Sequence, residues 1–271
     1  MRELIDIQLN KWNTWEKVWA GSFILAILGS TLYFSFQSTS WDSYFSIFLN
    51  FVISPVSAIT GVLCVLLVAQ RTISNYFYGL IQCITYGYIA YLTGYYGDAL
   101  LNIFFFLPFQ FIGLFFWKKY YMEKDNVHIK SRSLTWEQFL IVLIMGIMIT
   151  VGFGYFLNGV DNLFTEVMKR NASIYTYIDS TFGIPYLGAM FDSSTETLQI
   201  FGQILMTLAF AEQWLFWILT NIITIVMWGT VIYADPTSIS WASPILIMWV
   251  AFLINSIYGY ILWKKNSKEN N

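Results

Sequence analysis

Long apolar stretches separated by short polar breaks run along most of the chain. Most of the stretches have about 20 mostly apolar residues, the length that a helix needs to cross a hydrocarbon core of roughly 30 Å. Eight membrane-spanning helices are therefore predicted, at approximately residues 17–36, 47–70, 74–93, 99–117, 136–157, 197–210, 212–233 and 243–263. The sixth of them is the shortest, and it merges into the seventh.

Parts of the first half of the chain resemble parts of the second half. The third and seventh predicted helices align without a gap at an offset of 139 residues, and the fourth and eighth align at an offset of 146. The first alignment pairs Asn75, Tyr78, Gln82 and Thr85 with Trp214, Trp217, Asn221 and Thr224. The second alignment pairs Gly113 with Gly259 and Trp117 with Trp263.

This repeat predicts a particular helix order. Extending it backward pairs the second helix with the sixth and leaves the fifth as a lone connector between two three-helix units. Because one connecting helix returns the second unit to the orientation of the first, the repeats are parallel. We expect an all-α integral membrane protein with a 3+1+3 core of seven helices and one extra N-terminal transmembrane helix. The divisions are 1–46 (N-terminus and extra helix), 47–117 (first repeat), 118–196 (basic loop, linker helix and external segment), 197–265 (second repeat) and 266–271 (tail).

Composition agrees with a lipid environment. Of 271 residues, 57% are hydrophobic and 11% are charged, against about 25% charged in typical soluble domains. The net charge of -2 provides no basic surface for nucleic acid. Cys64 and Cys83 lie inside apolar stretches without CxxC spacing, so neither a disulfide nor a zinc site is expected.

Basic residues are distributed unevenly between the predicted loops. With the N-terminus inside, the external loops contain only Lys169 and Arg170. The other twelve lysine and arginine residues lie in predicted cytoplasmic segments, namely Arg2, Lys11, Lys17, Arg71, Lys118, Lys119, Lys124, Lys130, Arg132, Lys264, Lys265 and Lys268. Basic loops favour the cytoplasmic side of a membrane. Both termini are therefore predicted to be cytoplasmic.

Polar and aromatic side chains share faces on the predicted helices. Five of them fall within an arc of about 80° on the seventh helix, namely Trp214, Trp217, Asn221, Thr224 and Trp228. The candidate residues for a ligand-binding cavity are Trp214, Trp217, Asn221, Gln110, Gln82, Asn102, Gln203, Tyr78, Tyr86, Asn255 and Tyr258. Such side chains suit a ligand with amide or hydroxyl edges and a flat or cationic ring. Hydrogen bonds between helices and interfacial packing are the alternatives.

Charged residues are nearly absent from the interiors of the predicted helices. Asp98 and Glu212 lie near helix ends, and no close pair of carboxylates lies within the helices. Coupling to protons or sodium is therefore not expected. The single histidine, His128, lies in a basic loop, and no HExxH, GxSxG or phosphate-binding glycine motif is present. We expect neither an enzyme nor a bound cofactor or metal.

A spaced set of residues over 51–265 carries a family resemblance. Its positions in the first half are Asn75, Tyr76, Gly79, Tyr86, Asp98, Ala99, Gln110, Gly113 and Trp117. Its positions in the second half are Gln203, Leu205, Met206, Glu212, Trp214, Trp217, Asn221, Asn255, Ser256, Ile257, Tyr258, Gly259, Tyr260 and Trp263. This spacing resembles the PnuC family of bacterial nicotinamide riboside transporters. The first predicted helix and the external segment 158–196 depart from the family pattern.

The resemblance implies an architecture similar to an enlarged SWEET sugar transporter in a bacterial inner membrane. It also implies facilitated diffusion of nicotinamide riboside without ion coupling. A cytoplasmic nicotinamide riboside kinase would draw uptake inward by phosphorylating the riboside. The resemblance is also compatible with a homotrimer. We expect Trp214 and Trp217 to flank the pyridinium ring and Asn221 and Gln110 to bind the carboxamide or ribose. The polar lining would be completed by Gln82, Asn102, Gln203 and Tyr258.

Two other function classes remain open at this point. A transporter of thiamine, a deoxynucleoside or a sugar would share the same fold. A membrane scaffold subunit would need no polar cavity, so the presence or absence of small-molecule binding separates it from any transporter.

Overall fold

A computed structural model describes residues 5–38, 41, 43–122, 128–163 and 174–269. Its helices are α1 (Thr14–Ser38), α2 (Tyr44–Ala69), α3 (Asn75–Thr93), α4 (Tyr96–Tyr121), α5 (Trp136–Asn162), α6 (Ile174–Phe182), α7 (Leu187–Thr207), α8 (Gln213–Ala234) and α9 (Ile239–Glu269). Besides helices, the described residues form three isolated β-bridges between loops. The helical class predicted from the apolar stretches is confirmed.

Six helices are long and apolar enough to cross a membrane, namely α1, α2, α4, α5, α8 and α9. The chain is therefore a multi-pass helical membrane protein. The remaining two predicted spans correspond to α3 and α7, which are 19 and 21 residues long. At 1.5 Å per residue both lengths suit a core of roughly 30 Å. Neither contains an 18-residue stretch as apolar as those of the other six, and both carry polar side chains among their buried residues.

The start of α7 corrects the sequence prediction. The sixth helix was expected at 197–210, whereas α7 begins at Leu187, ten residues earlier. Asp192 and Glu196 were assigned to an external segment, but they lie inside α7 and are fully buried. A low local hydropathy predicts a loop at such polar residues, although a membrane helix can direct them into the protein interior. Part of that external segment, 164–173, lies outside the described residues.

Two tryptophans join the halves of the molecule in the same way. The Trp117 indole N–H of α4 donates to the Met206 carbonyl of α7 at 3.1 Å. The Trp263 indole N–H of α9 donates to the Val68 carbonyl of α2, also at 3.1 Å. Each carbonyl lies near the end of a helix in the opposite half and also accepts a main-chain N–H, from Ala209 at 3.0 Å and from Arg71 at 2.9 Å respectively.

The turns that precede α3 and α8 give the register of the repeat. Both contain a residue in the left-handed region, Arg71 with φ 61° and Ala209 with φ 59°, and the helices then begin at Asn75 and Gln213. Both pairs are separated by 138 residues, so the predicted offset of 139 was wrong by one. Tyr76, rather than Asn75, is therefore equivalent to Trp214. The gapless sequence alignment paired side chains of similar type. The backbone turns pair residues that are shifted by one position from that alignment.

Loops and basic residues gather at one end of the bundle, which we call the basic end. There the Ile129 amide donates to the Arg71 carbonyl at 3.2 Å, and the Arg132 amide donates to the Ala209 carbonyl at 2.7 Å. Lys264 forms an ion pair with Glu212 at 2.5 Å. Four basic residues in the charge prediction, Arg2, Lys124, Lys169 and Arg170, lie outside the described residues.

Gly259 supplies the space that the Trp214 indole occupies. A methyl group built at Gly259 would overlap that indole, and one at the equivalent Gly113 would lie 2.7 Å from the Tyr76 ring. We therefore expect Gly259→Ala to lower the free energy of unfolding by about 1–3 kcal/mol, the usual result of overpacking. Thermal unfolding of detergent-solubilised protein measures this effect as a lower Tm.

Gly229→Ala is the matched control, because no atom lies within 4 Å of the methyl group that it adds. Gly229 also lies inside a helix, on α8, where alanine is favoured over glycine by roughly 0.5–1 kcal/mol. Its Tm should stay level or rise. A Gly259→Ala protein as stable as the unmodified chain would contradict the packing described for Trp214.

Candidate functional site

A cavity lies among six helices of the bundle, α2, α3, α4, α7, α8 and α9. The space between the lining atoms is about 750 Å³, including the part that is open to solvent. Its wall combines amides and aromatic rings. Among the described residues that line it there is no charged side chain.

Eight of the eleven candidate residues line this cavity, namely Trp214, Trp217, Asn221, Gln110, Gln82, Asn102, Gln203 and Tyr86. They come from α3, α4, α7 and α8, and therefore from both halves of the chain. The shared faces predicted from helical periodicity thus converge in space. Their roles in binding a ligand stay predictions.

The other three candidates lie elsewhere and hold structural contacts. The Tyr78 hydroxyl donates to the Ile5 carbonyl at 2.8 Å. The Tyr258 hydroxyl donates to Glu16 at 3.0 Å, so both tyrosines contact the N-terminal part of the chain. The Asn255 amide donates to the Val65 carbonyl at 2.7 Å, which joins α9 to α2. The prediction did not anticipate these contacts, because the path of the N-terminal residues leaves no periodic signal.

Several residues of the cavity wall have a polar atom with no partner within the described protein. The Asn221 amide nitrogen donates to the Ser256 hydroxyl at 2.9 Å, whereas its carbonyl oxygen has no donor. The Trp214 indole nitrogen and the Asn75 carbonyl oxygen are also buried without a partner. A buried polar group left unsatisfied costs about 1–3 kcal/mol. Because all three residues line the cavity, these atoms are candidates to bond a ligand with complementary groups.

A proline-associated irregularity shapes the α4 wall. The segment Asn102–Phe106 is a π-helical turn, and Pro108 follows it. Proline lacks the N–H that an α-helix would use at that position, and such turns often occur at functional sites. Asn102, Phe106 and Gln110, spaced four residues apart, all line the cavity. Gln110 donates to the Phe106 carbonyl at 3.1 Å and to the Cys83 sulfur at 3.6 Å.

Aromatic rings form two further parts of the wall. The Phe106 and Trp217 rings lie 6.1 Å apart between centroids, and those of Trp249 and Phe252 lie 5.1 Å apart. Trp249 and Phe252 were not among the candidate residues predicted from the sequence. Both precede Ser256 by helical intervals, seven and four residues, so the periodic face of α9 was a usable signal.

Gln199 is another residue that the sequence analysis missed. It lines the cavity together with Gln203, four residues later on the same face of α7. The Gln199 amide donates to a carboxylate oxygen of Asp98 at 3.0 Å. The Tyr86 hydroxyl donates to the other Asp98 oxygen at 2.6 Å. Asp98 therefore lies directly behind two residues of the cavity wall.

A buried cluster of three carboxylates corrects the prediction that no close pair exists within the helices. One oxygen from each of Asp98, Asp192 and Glu196 lies within 4.8 Å of the others, and all three residues are buried. Asp192 accepts hydrogen bonds from the Gly97 amide at 3.0 Å and from the Tyr175 hydroxyl. Oxygen ligands of this kind are those that hard cations prefer. The prediction failed because it assigned Asp192 and Glu196 to a loop.

A multi-pass bundle with a cavity of amide and aromatic side chains from both halves defines a membrane transporter for a small polar or cationic molecule. The family model described as "Nicotinamide mononucleotide transporter" matches residues 51–265. The chain belongs to this family, the PnuC transporters, and it is not an enzyme. This confirms the resemblance inferred from the motif spacing.

Individual relatives align with nearly the whole chain. The "Nicotinamide riboside transporter PnuC" of Neisseria mucosa is 31% identical over 263 residues, which cover 96% of this chain and 84% of the relative. The protein of the same description from Haemophilus influenzae is 30% identical, covering 96% of this chain and 94% of the relative. A structure described as "Crystal structure of the Vitamin B3 transporter PnuC" matches with a TM-score of 0.71 and 29% identity, covering 98% of this chain and 97% of that one. The first helix and the external segment 158–196 were expected to depart from the family. The alignments cover 96–98% of the chain and so extend beyond residues 51–265, and the family match itself includes the external segment.

Proposed function

We propose that the chain transports nicotinamide riboside across the membrane and binds it in the central cavity. The observation that carries this proposal is the uncharged wall of amide and aromatic side chains supplied by both halves. Nicotinamide riboside presents a pyridinium ring, a carboxamide and ribose hydroxyls. Aromatic faces attract cations within about 6 Å, and amides both donate and accept hydrogen bonds. The descriptions of the relatives from Neisseria mucosa and Haemophilus influenzae support the same substrate.

Residue roles follow from the atoms that are available in the cavity. Trp214 and Trp217 flank the pyridinium ring, and the unpartnered oxygen of Asn221 accepts from the carboxamide or ribose. Gln110 supplies a second amide next to Gly79, where any added methyl group would overlap its side chain. The remaining polar lining comes from Gln82, Asn102, Gln203 and Tyr86.

Transport proceeds by facilitated diffusion without ion coupling. The described wall of the cavity has no ionisable carboxylate or basic group, and the carboxylate cluster lies behind the wall rather than in it. A single site that opens to either side moves substrate only down its gradient. Phosphorylation of the imported riboside by a cytoplasmic kinase then maintains that gradient.

The architecture suits alternating access by two parallel repeats in a SWEET-like 3+1+3 core. The reciprocal bonds of Trp117 and Trp263 support this symmetry. The clustering of Arg71, Arg132 and Lys264 supports a cytoplasmic basic end, with both termini in the cytoplasm. The protein then lies in a bacterial inner membrane, where a homotrimer is the assembly that the family resemblance suggests.

Titration calorimetry of detergent-purified protein tests the substrate, with nicotinamide riboside, nicotinamide, thiamine and deoxythymidine as the ligands. Nicotinamide riboside should bind most tightly, because it alone combines the cationic ring, the carboxamide and the ribose. Tighter binding of thiamine or deoxythymidine would mean that this ligand is the substrate, and the protein would still be a transporter. No binding by any of the four ligands would favour a scaffold role instead.

The same titration with variants tests the assigned residues. Asn221→Ala and Trp217→Ala should each raise the Kd for nicotinamide riboside roughly tenfold, the equivalent of about 1.4 kcal/mol. Gln138→Ala is the control, because Gln138 caps the start of α5 and does not line the cavity. Unchanged affinity in both folded cavity variants would refute these roles.

Uptake into proteoliposomes tests the transport mechanism. Internal nicotinamide riboside should rise to the external concentration and no further, because nothing in the proposed mechanism couples its movement to an ion. An imposed proton or sodium gradient should leave the initial rate unchanged. Accumulation above the external concentration under either gradient would show ion coupling and would overturn facilitated diffusion.

A further inference from the structure

Asp98 is the member of the buried carboxylate cluster that the cavity wall contacts. Its two oxygens are bonded by the Tyr86 hydroxyl and the Gln199 amide. These two hydrogen bonds favour the ionised form of Asp98, which burial and the neighbouring carboxyl groups disfavour. Asp192 is bonded by an amide and a hydroxyl on one oxygen. Both oxygens of Glu196 lack a donor, so nothing in the described protein stabilises an ionised Glu196.

The charge of this cluster has no basic counterpart in the described part of the chain. The described ion pair, Lys264 with Glu212, involves none of the three cluster residues. Burying a net charge without an opposite charge is costly in a medium of low dielectric constant. A positive charge that enters the neighbouring cavity would therefore be attracted to the cluster.

Three residues of the cavity wall also contact Asp98 directly. Tyr86 and Gln199 bond to its side chain, and the Asn102 amide donates to its main-chain carbonyl at 2.8 Å. All three line the cavity. Asp98 is thus one layer of side chains behind the surface that a ligand would touch, and its charge orients the Tyr86 hydroxyl and the Gln199 amide.

We propose that Asp98 is a positioning residue that makes the cavity select a cationic ring over an uncharged ring of the same shape. This inference rests on the proposed function and deepens it, because it assigns the preference for the charged form of the riboside to one carboxylate. Two unit charges about 8 Å apart at an effective dielectric constant near 20 attract each other enough for a roughly 30-fold difference in Kd. The aromatic wall adds a further preference for the cation that does not depend on Asp98.

The test compares two ligands that differ mainly in charge. Nicotinamide riboside carries a cationic pyridinium ring, whereas the riboside of the reduced 1,4-dihydropyridine ring is uncharged and similar in size. The ratio of their two Kd values, measured by calorimetry, reports the preference for charge. In the unmodified protein the cationic form should bind more than about 30-fold more tightly. In Asp98→Asn the ratio should fall roughly 30-fold, mainly through weaker binding of the cation.

Glu212→Gln is the matched control. It also replaces a buried carboxylate by an amide, but Glu212 pairs with Lys264 at the basic end and does not line the cavity. Its ratio of Kd values should equal that of the unmodified protein. If Asp98→Asn does not fold, Tyr86→Phe serves as the second variant. It removes a hydrogen bond that favours the ionised form of Asp98 and should lower the same ratio.

The possible results separate this inference from the proposed function. An unmodified protein that binds neither riboside would refute both. If nicotinamide riboside binds but the uncharged riboside binds equally well, only the inference fails. The inference also fails if Asp98→Asn, or Tyr86→Phe in its place, weakens both ligands by the same factor, because a purely structural role for Asp98 predicts that result.

Discussion

Polar side chains within membrane-crossing helices must find their partners inside the protein, and the organisation of this molecule depends on that constraint. Lipid offers no hydrogen bonds, so the amides of α3, α4, α7 and α8 face inward. Some of them bond to one another or to main-chain carbonyls, as Asn221 does with Ser256 and Gln110 with Phe106. Others keep an atom without a partner, and two of these residues, Asn75 and Asn221, line the central cavity.

The same constraint operates at the boundaries of the cavity. Towards the basic end, the indoles of Trp117 and Trp263 bond to carbonyls in the opposite halves. Behind the wall, Tyr86 and Gln199 use their donors to stabilise Asp98 rather than each other. Tyr86 and Gln199 both line the cavity and bond to a residue outside it. These outer bonds hold the wall in place while its inner surface remains open to a ligand. Such preorganisation reduces the entropy lost when a ligand binds.

Sequence patterns predicted the features that depend on periodicity. Apolar runs located the helices, and the inward faces of α3, α4, α7 and α8 brought eight candidates to one cavity. Features that depend on distant contacts were missed. Nothing local shows that Tyr78 would bond to Ile5 or Tyr258 to Glu16. Asp192 and Glu196 were predicted to lie in a loop. Their burial depends on α4 and on Tyr175, which are distant in sequence.

A structure of the protein with nicotinamide riboside bound would test the central claim most directly, which is that the amide and aromatic cavity is the substrate site. The expected result is a pyridinium ring beside Trp217, with its carboxamide or ribose bonded to Asn221. A ligand bound elsewhere, against the lipid-facing surface or among the basic residues at the end of the bundle, would contradict it.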